Sequence, residues 1–521
     1  MNFRIVGRLL AGFTLFFTLA MLAPLAMSLF EDVEQSTTVS FLASIGVGFA
    51  VAAALWALGR NSGDNIFRKE GLAMVGLAWF LAGVIAAVPF VCSDSIPSFV
   101  DAYFECISGL TTTGATVLGT ANRDIDTLAP SMLLWRAMLQ WMGGIGIVLV
   151  FIVLLPSVGV TGSRLLSSEQ VGLSEETSRP RMSQQARRLF QLYLGLTVAA
   201  TLSYWLAGLP LFEALCHSMT TLATGGFSNH NVSVGGYRNL AVECIAIVFM
   251  FVAGCNFLLI LRTMLRRPGT SQESSLHGSE FRFYLWTTLG ASLFVALTLW
   301  LWGEPMPDAS LGTVHDYGDP LRCLRDGTFQ VVSILTTTGY ANANFQNWPA
   351  AATYTLFLCM LVGGCTGSTA GGFKILRAAI CAKLGGYTLR HFVRPRSVEK
   401  LRVGADVLPD RVVSAVVGLL VLWFVTVAAG ALVIGLDSRV DLVSAVAAST
   451  SMMGCVGPAF GEVVARGAEG FELVGSLDLG PYAGYGELHW WAKLTMAVQM
   501  VLGRLEILAP LAILTPRFWW R

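Results

Sequence analysis

Four short phrases carry the chemistry open to this chain: Leu110-Thr-Thr-Thr-Gly114, Leu222-Ala-Thr-Gly225, Leu335-Thr-Thr-Thr-Gly339 and Cys455-Val-Gly457-Pro458. They return at near-constant intervals, and self-similarity over a fixed period announces repeated structural units. A monovalent cation leaving water needs its hydration oxygens replaced, and rings of backbone carbonyls do this without a charge of their own. Glycine opens backbone angles closed to other residues, so carbonyls can be turned toward a shared axis. Thr112, Thr113, Gly114, Ala223, Thr224, Gly225, Thr337, Thr338, Gly339, Cys455, Val456 and Gly457 then read as four quarters of one ion-binding filter. In the fourth copy Gly454 is the alternative to Gly457. Small residues also pack helices closely in lipid, and for any single copy that is the plainer explanation. Four copies, each behind a half-length apolar segment, favour the pore.

The elements that must position these phrases follow from composition. Of 521 residues 54% are hydrophobic and only 13% charged, which describes a polytopic membrane protein. Lys+Arg at 34 against Asp+Glu at 33 argues neither for nor against nucleic acid, and none is expected as a partner. The 10 cysteines form no CxxC pair and read as small buried apolar residues. A bilayer core takes about 20 apolar residues as helix. Spans are expected near 8–30, 39–59, 71–91, 131–155, 188–208, 239–262, 282–302, 350–364, 411–435 and 492–515. Shorter segments at 100–112, 211–223, 325–337 and 442–453 each end at a Thr/Gly phrase and read as re-entrant half-helices.

The expected fold is therefore all-α: four pseudo-symmetric units of span, pore helix, filter turn and span around one pore, preceded by two N-terminal spans. The divisions fall at 1–70, 71–165, 186–267, 280–402 (with an intramembrane loop) and 408–521. Arg4 and Arg8 precede the first apolar run, which reads as an uncleaved span and not as a signal peptide. They share a side with Arg60, Arg68 and Lys69, with Arg164, Arg179, Arg181, Arg187 and Arg188, and with Arg262, Arg266 and Arg267. The loop rich in Lys374, Arg377, Lys383, Arg390, Arg394, Arg396, Lys400 and Arg402 joins them, as do Arg517 and Arg521. The positive-inside rule then makes both termini cytoplasmic, with the half-helices entering from outside. Their negative C-terminal ends point at the cavity and favour a cation.

Gly363 to Gly372 has too many glycines for a regular helix at about 1 kcal/mol each. Gly364, Cys365, Thr366, Gly367, Ser368, Thr369, Ala370 and Gly371 read as a mobile loop under the filter, or else as a close helix crossing. Arg504 falls about 18 Å into the last span, where an ionisable residue is expensive and usually functional. An ion pair with Glu506 is the plainer reading, although residues two apart do not share a helix face. Lys374 reads as a solvated charge at the inner mouth. Asp94, Asp101, Glu105, Asp124 and Asp126 read as attractors of cations at the outer mouth or as solvated loop charges. The six histidines lack metal-ligand spacing, and His217, inside a half-helix, reads as a packed polar residue. No convergent nucleophile and base stand out, so an enzyme is not expected.

Several of these phrases, Thr-Thr-Thr-Gly114-Ala-Thr, Ala-Thr-Gly225-Gly-Phe-Ser, Thr-Thr-Thr-Gly339-Tyr and Val-Gly457-Pro-Ala-Phe-Gly, are similar to those of a known family. So are Gln140-Trp-Met-Gly-Gly-Ile-Gly-Ile147, Gly364-Cys-Thr-Gly-Ser-Thr-Ala-Gly-Gly-Phe-Lys374 and Gly503-Arg-Leu-Glu-Ile507. Together the chain resembles the TrkH/TrkG/KtrB superfamily of potassium transporter membrane subunits, closest to the TrkH branch because of its two extra N-terminal spans. The resemblance implies K⁺ as the transported ion, residence in a bacterial cytoplasmic membrane, a homodimer, and a cytoplasmic nucleotide-binding regulatory ring such as TrkA. It also implies that the glycine-rich loop is a gate. This chain carries no nucleotide motif of its own and no organic cofactor is expected. The fourth turn departs from the family pattern in lacking an Asn before its glycine. Channel-like permeation is favoured over H⁺- or Na⁺-coupled symport, which would call for a titratable mid-span group beyond Glu506 and Glu243. A K⁺-binding subunit of a pumping ATPase matches these phrases less well.

Overall fold

In hydrocarbon every backbone N–H and C=O needs an internal partner, so the apolar stretches of this chain fold as helices. A computed structural model describes residues 2–31, 36–60, 68–119, 124–153, 175–264, 275–308, 313–396, 400–404, 406–466, 473–482, 484–507, 510–511, 513 and 515–520. Helices α1 (Phe3–Ala20), α2 (Leu22–Ser28) and α3 (Ser36–Gly59) form the N-terminal pair of spans. The first unit is α4 (Arg68–Cys92), α5 (Phe99–Leu110) and α6 (Pro130–Val153). The second is α7 (Glu175–Leu206), α8 (Leu211–Leu222), α9 (Leu240–Ala253) and α10 (Phe257–Met264). Then come α11 (Ser275–Trp302), α12 (Pro320–Leu335), α13 (Ala350–Val362) and α14 (Ile375–Val393), and last α15 (Asp410–Ile434), α16 (Leu442–Gly454) and α17 (Trp490–Arg504), with α18 (Pro516–Trp520) at the end. Among the described residues the strands are three two-stranded antiparallel pairs in connections: Met306–Asp308 with Thr313–His315, Arg402–Val403 with Asp406–Val407, and Glu462–Arg466 with Leu473–Asp478.

Among the described residues six helices are long and apolar enough to cross a membrane, seven if α9 and α10 count as one bent span. The protein is a multi-pass membrane protein. Its exterior is apolar, as lipid requires: on α11, Trp286 and Leu293 are exposed while Thr288 and Ser292 are buried. The half-helices α5, α8, α12 and α16 have 12, 12, 16 and 13 residues. Side chains fix three of their starts, with Ser98, Asp319 and Asp441 accepting from the first-turn amides of α5, α12 and α16.

The units interlock in one rotational sense. The second span of each packs on the half-helix of the next: α6 on α8, α9 on α12, α13 on α16, and α17 back on α5. Glycines let two of these spans also cross the half-helix of their own unit with backbones in contact. A Cβ at Gly143 would overlap Leu110 O, and one at Gly503 would overlap Met453 O.

Two second spans differ from expectation. The run 239–262 bends by 95° between α9 and α10. In the last span α17 ends at Arg504, after which Glu506 and Ile507 take φ of 60° and 58° and helical backbone returns at 510–511 and 513. Both breaks fall beside the intramembrane loop, which takes up the freed backbone groups of the first. Arg164, Arg266, Arg267 and Arg521, the side chains of Arg68, Arg179, Arg181 and Arg517, and the expected boundaries at 154–165 and 265–267 lie outside the described residues.

The joint between the fourth and first units contains a buried ion pair, Lys493 Nζ with the Asp101 carboxylate, and Lys493 also donates to Gly486 O at 2.8 Å. Removing one member strands a buried charge, at a cost of about 3–5 kcal/mol, whereas replacing both by apolar groups is close to neutral. Lys493→Met should therefore lower the melting temperature of the detergent-solubilised protein, and Asp101→Leu with Lys493→Met should restore most of it. A double variant no more stable than the single one would rule the pairing out.

Candidate functional site

A helix that ends in a buried place leaves carbonyls without partners. All four half-helices solve this with the same turn. Thr112 N donates to Gly109 O at 2.9 Å and Thr113 N to Ser108 O at 2.9 Å. The same two bonds recur from Thr224 and Gly225 to Thr221 and Thr220 (3.0 and 2.9 Å), from Thr337 and Thr338 to Ile334 and Ser333 (3.0 and 2.8 Å), and from Cys455 and Val456 to Met452 and Ser451 (3.2 and 3.0 Å). This is a Schellman closure, in which the residue after the cap is left-handed. That residue is Thr112, Thr224, Thr337 or Cys455, at φ of 53°, 52°, 58° and 54°. Left-handed threonine is strained and persists only where its surroundings over-determine it. Two residues on stands a glycine at positive φ: Gly114, Gly226, Gly339 and Gly457, at 80°, 82°, 80° and 101°.

These angles set the register. Gly457 is the fourth member, while Gly454 is the last residue of α16. In the second copy Ala223 is the right-handed cap of α8, Gly225 stands where the first copy has Thr113, and Gly226 is the equivalent of Gly114. The sequence register, which set Gly225 against Gly114, is one residue short there, because Ala-Thr-Gly-Gly offers two glycines and alignment by sequence takes the first.

The turns close into a ring. A Cβ built on Gly114 would overlap Gly225 O, one on Gly226 would overlap Thr338 O, one on Gly339 would overlap Val456 O, and one on Gly457 would lie 2.6 Å from Thr113 O. Each glycine thus makes room for a carbonyl of another unit, in the order one, two, three, four and back to one. All four glycines line one cavity, walled also by Arg136, Phe227, His230 and Pro458. The site is rich in uncharged oxygens and lies at the negative ends of four helices, which suits a cation.

Behind three of the turns, polar side chains at matching half-helix positions hold the departing chain. Glu105 accepts from Thr116 Oγ1 at 3.0 Å and Val117 N at 2.9 Å. His217 Nε2 lies 3.2 Å from Ser228 Oγ, and Gln330 Nε2 donates to Ala343 O at 3.3 Å. The fourth unit has Ala448 at this position. Glu105 is fully buried and paired with Arg136 at 2.9 Å, and Arg136 donates to Ser228 O at 3.1 Å and sits over the Phe227 ring. Asp101 and Glu105 are therefore structural partners of Lys493 and Arg136 and not mouth charges. Asp94, Asp124 and Asp126 are exposed, and Asp126 meets His230 Nδ1 at 2.6 Å on the cavity rim.

On the other side of the turns lies the loop, with Gly363, Gly367 and Gly372 at φ of 75°, 74° and 77°. Gly371 N donates to Thr337 Oγ1 at 2.6 Å, so the loop touches a turn directly. Thr369 Oγ1 donates to Leu222 O at 3.0 Å and is 3.2 Å from Ala253 O. Cys365 N donates to Gly254 O at 2.9 Å and Phe257 N to Gly367 O at 3.2 Å, which completes the backbone opened by the α9–α10 bend. Within the loop Ser368 Oγ donates to Cys365 O, and Gly364 O accepts from Ile375 N. Arg504, 2% exposed, donates from Nη1 to Thr369 O at 2.6 Å and from Nη2 to Gly143 O at 3.3 Å. It does not pair with Glu506, whose partner is Arg377 at 2.7 Å. Lys374 is buried with Nζ on Ala370 O, which corrects its reading as a solvated charge. Sequence reasoning also missed Glu280, buried at the start of α11 and accepting from Thr366 N at 2.6 Å. Its one signal is a carboxylate just ahead of an apolar run.

Known proteins share the overall fold and much of the sequence of this chain. A family model for TrkH, described as a cation transport protein, matches residues 38–516. The Trk system potassium uptake protein TrkH of Vibrio parahaemolyticus is 34% identical over 521 residues, covering 99% of this chain and 98% of that protein. The Trk system potassium uptake protein TrkG of Escherichia coli is 30% identical over 520 residues, covering 99% of each. The crystal structure of the potassium transporter TrkH from Vibrio parahaemolyticus superposes with a TM-score of 0.83 at 31% identity, over 100% of both chains.

A ligand that binds only the folded state raises its melting temperature. The solubilised protein should melt higher in K⁺ than in a bulky organic cation at equal ionic strength. Gly226→Ala, whose methyl group would meet Thr338 O, should lose that difference. A Gly226→Ala protein that keeps the full K⁺-dependent shift would remove Gly226 from the ring.

Proposed function

The chain belongs to the TrkH family of cation transport proteins, and we propose that it takes up K⁺ across a bacterial cytoplasmic membrane through the ring of four turns. The observation that carries this reading is the cyclic packing of each glycine on a carbonyl of another unit. The ion-binding residues are Thr112, Thr113, Gly114, Thr224, Gly225, Gly226, Thr337, Thr338, Gly339, Cys455, Val456 and Gly457. The relatives are potassium uptake proteins of a Trk system, which supports K⁺ as the cargo and a multi-component assembly. Residues Gly364 to Gly371 act as the gate: they contact the turn at Thr337 and are held there by Thr369 and Arg504. Arg504 places a positive charge below the ring, which shortens cation residence there. The chain works as a homodimer with both termini cytoplasmic, and a nucleotide-binding ring of the TrkA type moves the loop.

Permeation is channel-like. The carboxylates of buried Glu105 and Glu243 and half-buried Glu506 each sit beside an arginine, which suits structure better than proton carriage. One observation favours the alternative of H⁺-coupled symport: Glu280 is a buried carboxylate bonded to the loop itself at Thr366 N.

Purified protein in liposomes, with a K⁺ gradient and voltage set by an ionophore, should pass a Rb⁺ tracer down the electrochemical gradient alone. Deleting Gly367 to Ala370 should raise that flux. Flux no greater than in empty liposomes contradicts transport, and unchanged flux in the deletion contradicts the gate. Uptake that needs a pH gradient, and is abolished in Glu280→Gln, establishes coupling instead.

A further inference from the structure

The four turns are not braced alike. In the first and third, hydroxyls two residues apart pair across the turn, Thr111 with Thr113 at 2.7 Å and Thr336 with Thr338 at 2.8 Å. The second and fourth carry Ala223 with Gly225 and Gly454 with Val456 at those positions, so neither can form the pair. Their backbones hold the same left-handed residue and positive-φ glycine, and need support from elsewhere.

Each receives it from one buried side chain. Gln140 of α6 donates from Nε2 to Gly225 O at 2.7 Å and accepts from Phe227 N at 3.1 Å, clasping the second turn on both sides of Gly226. A Cβ on Gly225 would collide with that amide, so the amide fills the space where Thr113 and Thr338 carry side chains. Tyr485, ahead of α17, donates its hydroxyl to Gly457 O at 2.8 Å and its backbone N–H to Thr116 O at 2.7 Å. It thereby ties the fourth turn to the chain leaving the first. Gln140 is fully buried and Tyr485 is 2% exposed.

We propose that Gln140 and Tyr485 are positioning residues that set cation discrimination, replacing from outside the hydroxyl pairs that the second and fourth turns lack. The inference rests on the K⁺ reading above. Selectivity for a larger cation over a smaller one has been ascribed to a ring that cannot shrink and to carbonyls of modest field strength. Both bonds act in that direction on either account. They hold Gly225 and Gly457 carbonyls against collapse around Na⁺, and they share those oxygens with a donor, which weakens their pull on a small ion.

The test compares wild type, Gln140→Leu, Tyr485→Phe and Thr113→Val in liposomes, reading the ratio of initial K⁺ to Na⁺ uptake beside the melting temperature. Tyr485→Phe keeps the ring and loses only the hydroxyl, so it stays informative where Gln140→Leu fails to fold. Tyr485→Phe and Thr113→Val should lower the ratio by about three- to tenfold for the loss of one buried hydrogen bond, and Gln140→Leu, which loses two, by at least as much. Wild-type discrimination retained by Tyr485→Phe and by the folded Gln140→Leu, whatever their melting temperatures, overturns this inference and leaves the transport reading standing. Wild-type liposomes that pass no K⁺ overturn both.

Discussion

A helix that stops inside a membrane leaves carbonyls that neither water nor the next turn can satisfy, and this chain meets that shortage four times in one place. Its common answer is the closure at Thr112, Thr224, Thr337 and Cys455, which returns two carbonyls of each half-helix to hydrogen bonding at the cost of a left-handed residue. Once these turns are fixed, the following glycines have one place to go. They pack on carbonyls of other units, and the ring of oxygens follows from the capping.

No unit can make this arrangement alone. Each glycine borders another unit's carbonyl, each second span packs on the next half-helix, and Lys493 with Asp101 closes the last joint. The loop extends the same dependence below the ring. It satisfies the amide of Phe257 and the carbonyl of Gly254 that the α9–α10 bend exposes, so the bend and the loop exist by virtue of one another. Any displacement of the loop must find those groups new partners, which gives a gate a definite energetic cost.

The half-helices and their turns were legible because composition and local backbone chemistry suffice to mark them: an apolar run too short to cross, then a glycine in a polar phrase. What failed depended on distant partners. Asp101 and Glu105 looked like surface charges because Lys493 and Arg136 are remote in sequence. Lys374 looked solvated because nothing local shows that Ala370 O will receive it. Gly254 gave no hint of a bend, since one glycine in an apolar run is tolerated unless a neighbour offers partners to the opened backbone, and that neighbour belongs to the third unit. The register of the second turn was lost to a doubled glycine, which only the backbone angles separate.

The central claim is that the closed ring is where a cation loses its water. Anomalous diffraction from crystals in which Rb⁺ replaces K⁺ tests it most directly. The expected result is a peak enclosed by the carbonyls of Thr113, Gly225, Thr338 and Val456. A map with no ion within the ring, or with Rb⁺ held only by side chains elsewhere, would contradict it.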